Sequence, residues 1–303
     1  MAISRSQLVK ELEPGLNALF GLEYKRYENQ HAEIYTNENS DRAFEEEVML
    51  SGFANAQVKG EGAGVSFDQA QETFTARYTH ETVALAFAIT EEAIEDNLYD
   101  RLASRYTKAL ARSMSNAKQV KAVEPLIQGL PSTDNFDSGD GVSLFNTSHP
   151  TVAGTFKNTL STQADLNETS LEQSMIDIAA MTDERGLRIA ARGVKMIIPS
   201  ELQFTAERLM KSQGRTGTAD NDINAIVSMG MVPQGYRVNN YLTDTDAFYI
   251  LTDIPNGMKM FTRAPLTTAM EGDFDTGNVR YKARERYSFG VSDPRGIFGV
   301  EGA

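Results

Sequence analysis

Residues 90–125 read TEEAIEDNLYDRLASRYTKALARSMSNAKQVKAVEP, and this stretch decides the fold. Thr90 supplies a hydroxyl N-cap, and Glu91 and Glu92 place carboxylates in the positive first turn of a helix. Ile94, Leu98, Leu102, Tyr106, Leu110, Met114, Ala117, Val120 and Val123 then recur at three- and four-residue steps, and Pro125 supplies a stop. The spacing predicts a helix over 91–124. At about 1.5 Å of rise per residue it is about 50 Å long, more than a compact domain needs, so other elements are expected to straddle it.

Upstream, Leu8, Leu12, Leu16, Leu19 and Phe20 fall near one helical face, but Pro14-Gly15 interrupts them, which predicts a short helix plus an arm. Two extended runs follow, Phe44 to Phe53 and Glu72 to Leu85, flanking the loose stretch Lys59-Gly60-Glu61-Gly62-Ala63-Gly64. This is a long two-stranded loop, and an isolated strand pair is marginal in water, so it needs a surface to lie on.

Downstream, residues 129–165 are rich in Gly, Asp, Ser and Asn and read as a loop. A second amphipathic helix is expected over 169–182, a buried strand over 189–198, and a third helix from Pro199 to about Lys211. Short strands are expected over 236–239, 247–252, 258–262 and 279–291. Helices and strands in this order make the class α+β.

Composition narrows the function. The 303 residues are 41% hydrophobic with no Gly/Ser or Pro linker, so domains that exchange chain segments are expected. Forty-two acidic against 29 basic residues give a net charge of −13, which disfavours a non-specific grip on DNA or on an anionic membrane. With no cysteine, disulfides, thiol nucleophiles and cysteine-held metals are excluded. No apolar run reaches membrane-spanning length and the N-terminus has no signal-peptide pattern, so the expected compartment is the cytosol. His31, His80 and His149 lack metal-ligand spacing, and no phosphate loop, nucleophile elbow or dinucleotide fingerprint occurs. Asp134, Asp137 and Asp140 share a glycine-containing loop, but their spacing is not that of an EF-hand, which favours a solvated turn over a calcium site.

The element order, together with the runs Leu144-Phe145-Asn146-Thr147-Ser148-His149-Pro150, Met196-Ile197-Ile198-Pro199-Ser200-Glu201-Leu202 and Tyr287-Ser288-Phe289-Gly290-Val291-Ser292-Asp293-Pro294-Arg295, resembles the major capsid proteins of tailed bacteriophages with the Hong Kong 97-like fold, phage Mu-type head subunits among them. The resemblance implies an N-terminal arm over 1–31, an extended loop over 32–83 that reaches across a neighbouring subunit, and an axial domain over 193–253. It implies a peripheral domain made of 84–192 and 254–303, with the helix over 91–124 as its spine. It further implies self-assembly into hexamers and pentamers of an icosahedral head, assembled in the host cytoplasm and enclosing double-stranded DNA without sequence-specific binding. Scaffolding, portal and decoration proteins are the implied partners, and no membrane, cofactor or catalytic residue is involved. A shell protein of an encapsulin-like cellular nanocompartment shares the fold and is the alternative; a metal-dependent hydrolase is a distant one.

Two clusters are candidate subunit interfaces. Arg280, Lys282, Arg284 and Arg286 alternate with other residues, so in a strand all four cations project from one face. Glu45, Glu46 and Glu47 form an acidic patch that this strip is able to meet across a subunit boundary; a solvent-facing strand is the plain alternative. Lys59 lies in the hairpin turn. Some members of the family cross-link through a loop lysine, which makes Lys59 a third candidate beside its reading as an ordinary solvated lysine.

Overall fold

A computed structural model describes residues 5–90, 92–93, 99–133, 135–214, 222–273 and 277–303. Helix α1 spans Arg5–Arg26, and strands β1 (Thr36–Asn39), β2 (Phe44–Leu50), β3 (Glu72–Thr79) and β4 (Glu81–Ile89) follow. The long helix α2 covers Tyr99–Gln128; after it come β5 (His149–Thr151), β6 (Gly154–Phe156), α3 (Glu168–Ala179) and β7 (Gly193–Ile198). The chain continues with α4 (Gln203–Lys211), α5 (Ala225–Ser228), β8 (Tyr236–Val238), β9 (Phe248–Thr252), β10 (Met258–Gly272), β11 (Val279–Val291) and β12 (Ile297–Val300).

Two four-stranded sheets organise these elements, in the orders β1-β10-β11-β4 and β12-β9-β7-β8, while β2-β3 and β5-β6 form separate ribbons. Helices α1 and α2 pack on one face of the first sheet. Leu16 and Phe20 of α1, Leu110 and Met114 of α2, and Tyr281 and Ala283 of β11 are buried together there. The second sheet is a shared wall. Ile197, Tyr249 and Ile297 point into a core with Val123, Leu126 and Phe145, whereas Met196, Ile198, Phe248, Ile250 and Phe298 point into another with Leu171, Ile178 and Leu209. The period of two along each strand divides the side chains this way.

Four expectations need correction. Helix α1 is continuous, with Pro14 inside it, because Leu16 and Phe20 beyond the proline are buried against α2 and β11 and hold the next turns in place. Likewise α2 runs through Pro125 to Gln128: Leu126 is fully buried, and this packing outweighs the missing backbone donor and the ring clash, together about 3 kcal/mol. Its expected start at Glu91 lies outside the described residues, although Ala93 N–H does donate to Thr90 Oγ1 at 3.4 Å. The run from Glu72 to Leu85 is two strands split at His80, β3 pairing with β2 and β4 joining the first sheet. Strand β10 extends ten residues past Thr262, through a bulge at Arg263 and past Pro265, because β11 offers a partner along its whole length.

Candidate assembly surfaces

The β2-β3 ribbon is fixed at its root and bare at its tip. At the root, Lys259 of β10 is buried and bonds Glu47 Oε1 at 2.5 Å and Glu38 Oε1 at 3.2 Å. Burial opposes its charge, but the two carboxylates outweigh this and hold its pKa above the ordinary lysine value. Tyr78 and Ser292 share a 2.5 Å hydrogen bond, and the Tyr78 ring lies against Gly290 and 4.8 Å from Phe261. His80, where the ribbon meets the sheet, bonds Ser288 Oγ through Nδ1 and Ser40 Oγ through Nε2, each at 2.9 Å. Ser40 donates to Glu45 Oε1 at 2.7 Å. Burial and the neighbouring Arg286 and Arg263 push the His80 pKa down, against a pull from Glu45.

Two further contacts steady the ribbon. Arg185 Nη2 donates to Gln69 O at 2.5 Å and sits 3.3 Å from Asp68 Oδ1. Gly139, at φ +97°, brings its loop onto the backbone of Thr75 and Ala76, where a Cβ would meet Thr75 O at 2.8 Å.

Beyond those ties, residues 53–67 are exposed throughout and carry large apolar side chains. Phe53 is 62%, Val65 68%, Phe67 98% and Val58 100% exposed. Phe44, Val48 and Leu50 add to this row on the outward face of β2. The glycines of this loop stand out in the sequence, and the apolar residues spaced among them do not. Phe67 and Val58 in a polar, glycine-rich segment were the available signal.

The candidate interface residues divide by location. Glu45 and Glu47 point toward the chain's own Ser40 and Lys259, and Glu46 faces out, 3.8 Å from Arg77. These three acids belong to the root of the ribbon. Lys59 is exposed at the tip. On β11, Arg280, Lys282 and Arg284 are exposed and Arg286 is half-buried, alternating with buried Tyr281, Ala283, Glu285 and Tyr287. Arg280 pairs with Asp273. On the covered face, burial pushes the Glu285 pKa up while Lys118, 3.2 Å away, pulls against it. Nothing in the local sequence marks Lys259, Tyr78 or Arg263 as part of this root, and the expectation for His80 concerns only metal ligation.

The first and third of the sequence runs that carry the resemblance meet at one structural joint. His149 is fully buried, with Nδ1 2.6 Å from Asp140 Oδ2 and Nε2 2.9 Å from Asn158 Oδ1. Asn158 donates from Nδ2 to Leu144 O and Pro294 O, tying the first run to the third. Phe156 stacks on His149, and Arg295 lies over the Phe156 ring while bonding Glu184 Oε1 at 2.5 Å and Asp293 Oδ1 at 3.2 Å. His149 is therefore a structural tie. Asp137 is engaged in a turn, accepting from Gly139 and Gly141 N–H, and Asp140 is taken by His149 and Ser138; Asp134 lies outside the described residues.

An arm helix and a long helix under a sheet, a root-fixed ribbon with a bare apolar tip, and two cores divided by a second sheet define a shell-forming subunit of the Hong Kong 97-like fold. The phage capsid protein family model matches residues 72–300, and the chain belongs to that family. No curated protein matches it in sequence. Among solved structures it is similar to the virus-like particle from Pyrococcus furiosus, with 10% identity over 95% of this chain and 98% of that one and a TM-score of 0.55. It is similar also to the capsid of an empty GTA particle, at 14% identity over 90% and 89% of the two chains and a TM-score of 0.57. The capsid of Myoviridae phage XM1 matches at 13% identity over 89% of each chain, with a TM-score of 0.52. These structures share the fold. The family match is what favours a phage head over a cellular compartment, and it places the protein in the virion as a structural component. No helix among the described residues is long and apolar enough to cross a membrane.

Proposed function

We propose that the chain builds the head shell by laying the tip of its β2-β3 ribbon on a second copy, in hexamers and pentamers that close around double-stranded DNA. The apolar row on the tip carries this reading. Burying four such side chains is worth roughly 1.5–3 kcal/mol each, and the subunit alone leaves them in water. A structural subunit without catalytic duty fits the family and the fold.

In this reading residues 1–31 are the arm, 32–83 the extended loop, 84–192 with 254–303 the peripheral domain, and 193–253 the axial domain. The core beneath the axial segment also draws on Leu160 to Met181 and on Phe298 and Val300, which supports the interleaving. Assembly takes place in the host cytoplasm, with scaffolding, portal and decoration proteins as further partners. The net charge of −13 suits a wall that holds DNA without binding it tightly.

Light scattering with negative-stain microscopy on the purified chain, alone and with a scaffolding protein, tests the proposal. Closed shells or five- and six-membered rings are the expected result, and a monomer or dimer under both conditions overturns it. The Phe53→Ser/Phe67→Ser variant is expected to stay folded with an unchanged Tm and to form no closed shells.

A further inference from the structure

The first sheet has two unlike faces. One is covered by α1 and α2. The other is occupied at one end by the ribbon root, where Phe261 and Ser288 meet Tyr78 and His80, and among the described residues is open for the rest of its length. Cross-strand partners share a face, so the register places Ala84, Ala86 and Ala88 of β4 beside Arg284, Lys282 and Arg280 of β11, with Thr267 and Ala269 of β10 on the other side. All of these are exposed. The open part is a central row of cations about 20 Å long, flanked by small side chains except at its far end, where the exposed Glu271 of β10 stands opposite Arg280.

The bulge in β10 adds a cation that alternation along one strand does not reveal. Thr262 pairs with Tyr287 and Ala264 with Arg286, so Arg263 is the extra residue opposite Arg286. Both arginines lie close enough to His80 to depress its pKa. The Nε atoms of both are buried and have no hydrogen-bond partner among the described residues. Of the five cations, Arg280 alone is in an ion pair with a described residue. Elsewhere in this acidic chain Lys118, Lys121, Lys157, Lys195 and Lys259 each have a carboxylate within 4 Å.

We infer that this open face, centred on Arg263, Arg284 and Arg286, receives carboxylates from a second copy of the chain. The inference rests on the shell reading above and gives the chemistry of one of its contacts. Charge complementarity selects the occupant: a second copy carries 42 acids against 29 bases, so carboxylates outnumber cations among the groups it has to offer this face. The flanking alanines let a backbone approach closely enough for guanidinium–carboxylate forks to form. Glu45 and Glu47 are excluded as the donors while the ribbon root stays closed, since Ser40 and Lys259 hold them.

Two charge-reversed variants test this. Arg284→Glu/Arg286→Glu strikes the centre of the face, and Lys282→Glu/Arg284→Glu changes only exposed positions, which keeps folding out of the comparison. The exposed pair is expected to keep a wild-type Tm as an unassembled subunit, and both variants to lower the yield of closed shells at least tenfold under conditions where the wild type assembles. In shells of Arg286→Lys grown from mixed light and heavy nitrogen, a zero-length carbodiimide is expected to join Lys at that position to an acid of the other isotope. Variant shells at wild-type yield, or cross-links confined to one chain, overturn the inference and leave the shell reading intact. Normal variant shells that retain less DNA assign the face to phosphate instead and also overturn it. A wild-type chain that never assembles overturns the shell reading and this inference with it.

Discussion

His31 is buried between α2 and β11, its ring edge-on to Phe289 at 5.9 Å and its Nδ1 without a hydrogen-bond partner among the described residues. Burial is the main force on its pKa and Lys118 adds to it, lowering the value from 6.5 to about 4. A depressed histidine contributes stability that is fully present above pH 6.5 and is lost as pH falls toward 4, because the unfolded chain takes the proton first. At pH 5 the loss from this residue is about 2 kcal/mol. Urea unfolding of the unassembled chain at pH 7.5 and pH 5 measures it. His31→Phe keeps a ring against Phe289 and removes the titration, so its acid response is expected to be smaller by about that amount. His80 shifts in the same direction and remains in the variant. A nearby residue carries a different risk: Lys118→Met leaves the buried Glu285 carboxylate without its cation, and the expected cost is about 3–5 kcal/mol in the same urea assay. None of this was legible in the sequence, where His31 and Glu285 are single letters among polar neighbours and their burial depends on contacts from residues 88 and 167 positions away.

At the scale of elements, the ribbon root is closely packed against the first sheet. A Cβ on Gly290 would lie 2.6 Å from the Tyr78 ring, with no backbone slack in the central strand β11. Gly290→Ala is expected to displace Tyr78, break its bond to Ser292 and cost about 1–3 kcal/mol. Limited proteolysis should then cut within residues 44–79 faster than in the wild type, while the covered helices keep their protection. The two-stranded loop and the long helix were readable because each has a strong local signature: β-branched and aromatic residues around a glycine turn, and apolar residues at helical spacing. The elements misread are those whose extent depends on a distant partner. Leu126 carries α2 past Pro125 because a core waits there, and β10 passes Pro265 because β11 lies alongside. The alternation of Arg280 to Arg286 was legible for the same reason that Arg263 was not: a period of two is written along one strand, whereas a bulge exists only between two strands.

For the whole molecule, the second sheet ties two cores into one unit. Tyr249 and Ile250 are consecutive and fully buried in different cores, as are Ile297 and Phe298. Any disruption of β9 or β12 therefore exposes both sides of the wall. The buried Arg295 adds a polar tie, joining the turn after β11 to Glu184 and Thr182 O in the segment after α3. The absence of a composition-marked linker in the sequence follows from this arrangement, since no segment can be detached without opening a core. Phe298→Ala removes a large side chain from one core only, and the expected cost is about 3–5 kcal/mol. If the cores unfold together, tyrosine fluorescence, to which Tyr35, Tyr249 and Tyr287 contribute from the other side of the wall, and far-UV circular dichroism shift to the same lower midpoint. Two separated transitions, with the tyrosine signal unmoved, would show instead that the wall does not couple the cores and that 193–253 behaves as a domain that melts alone.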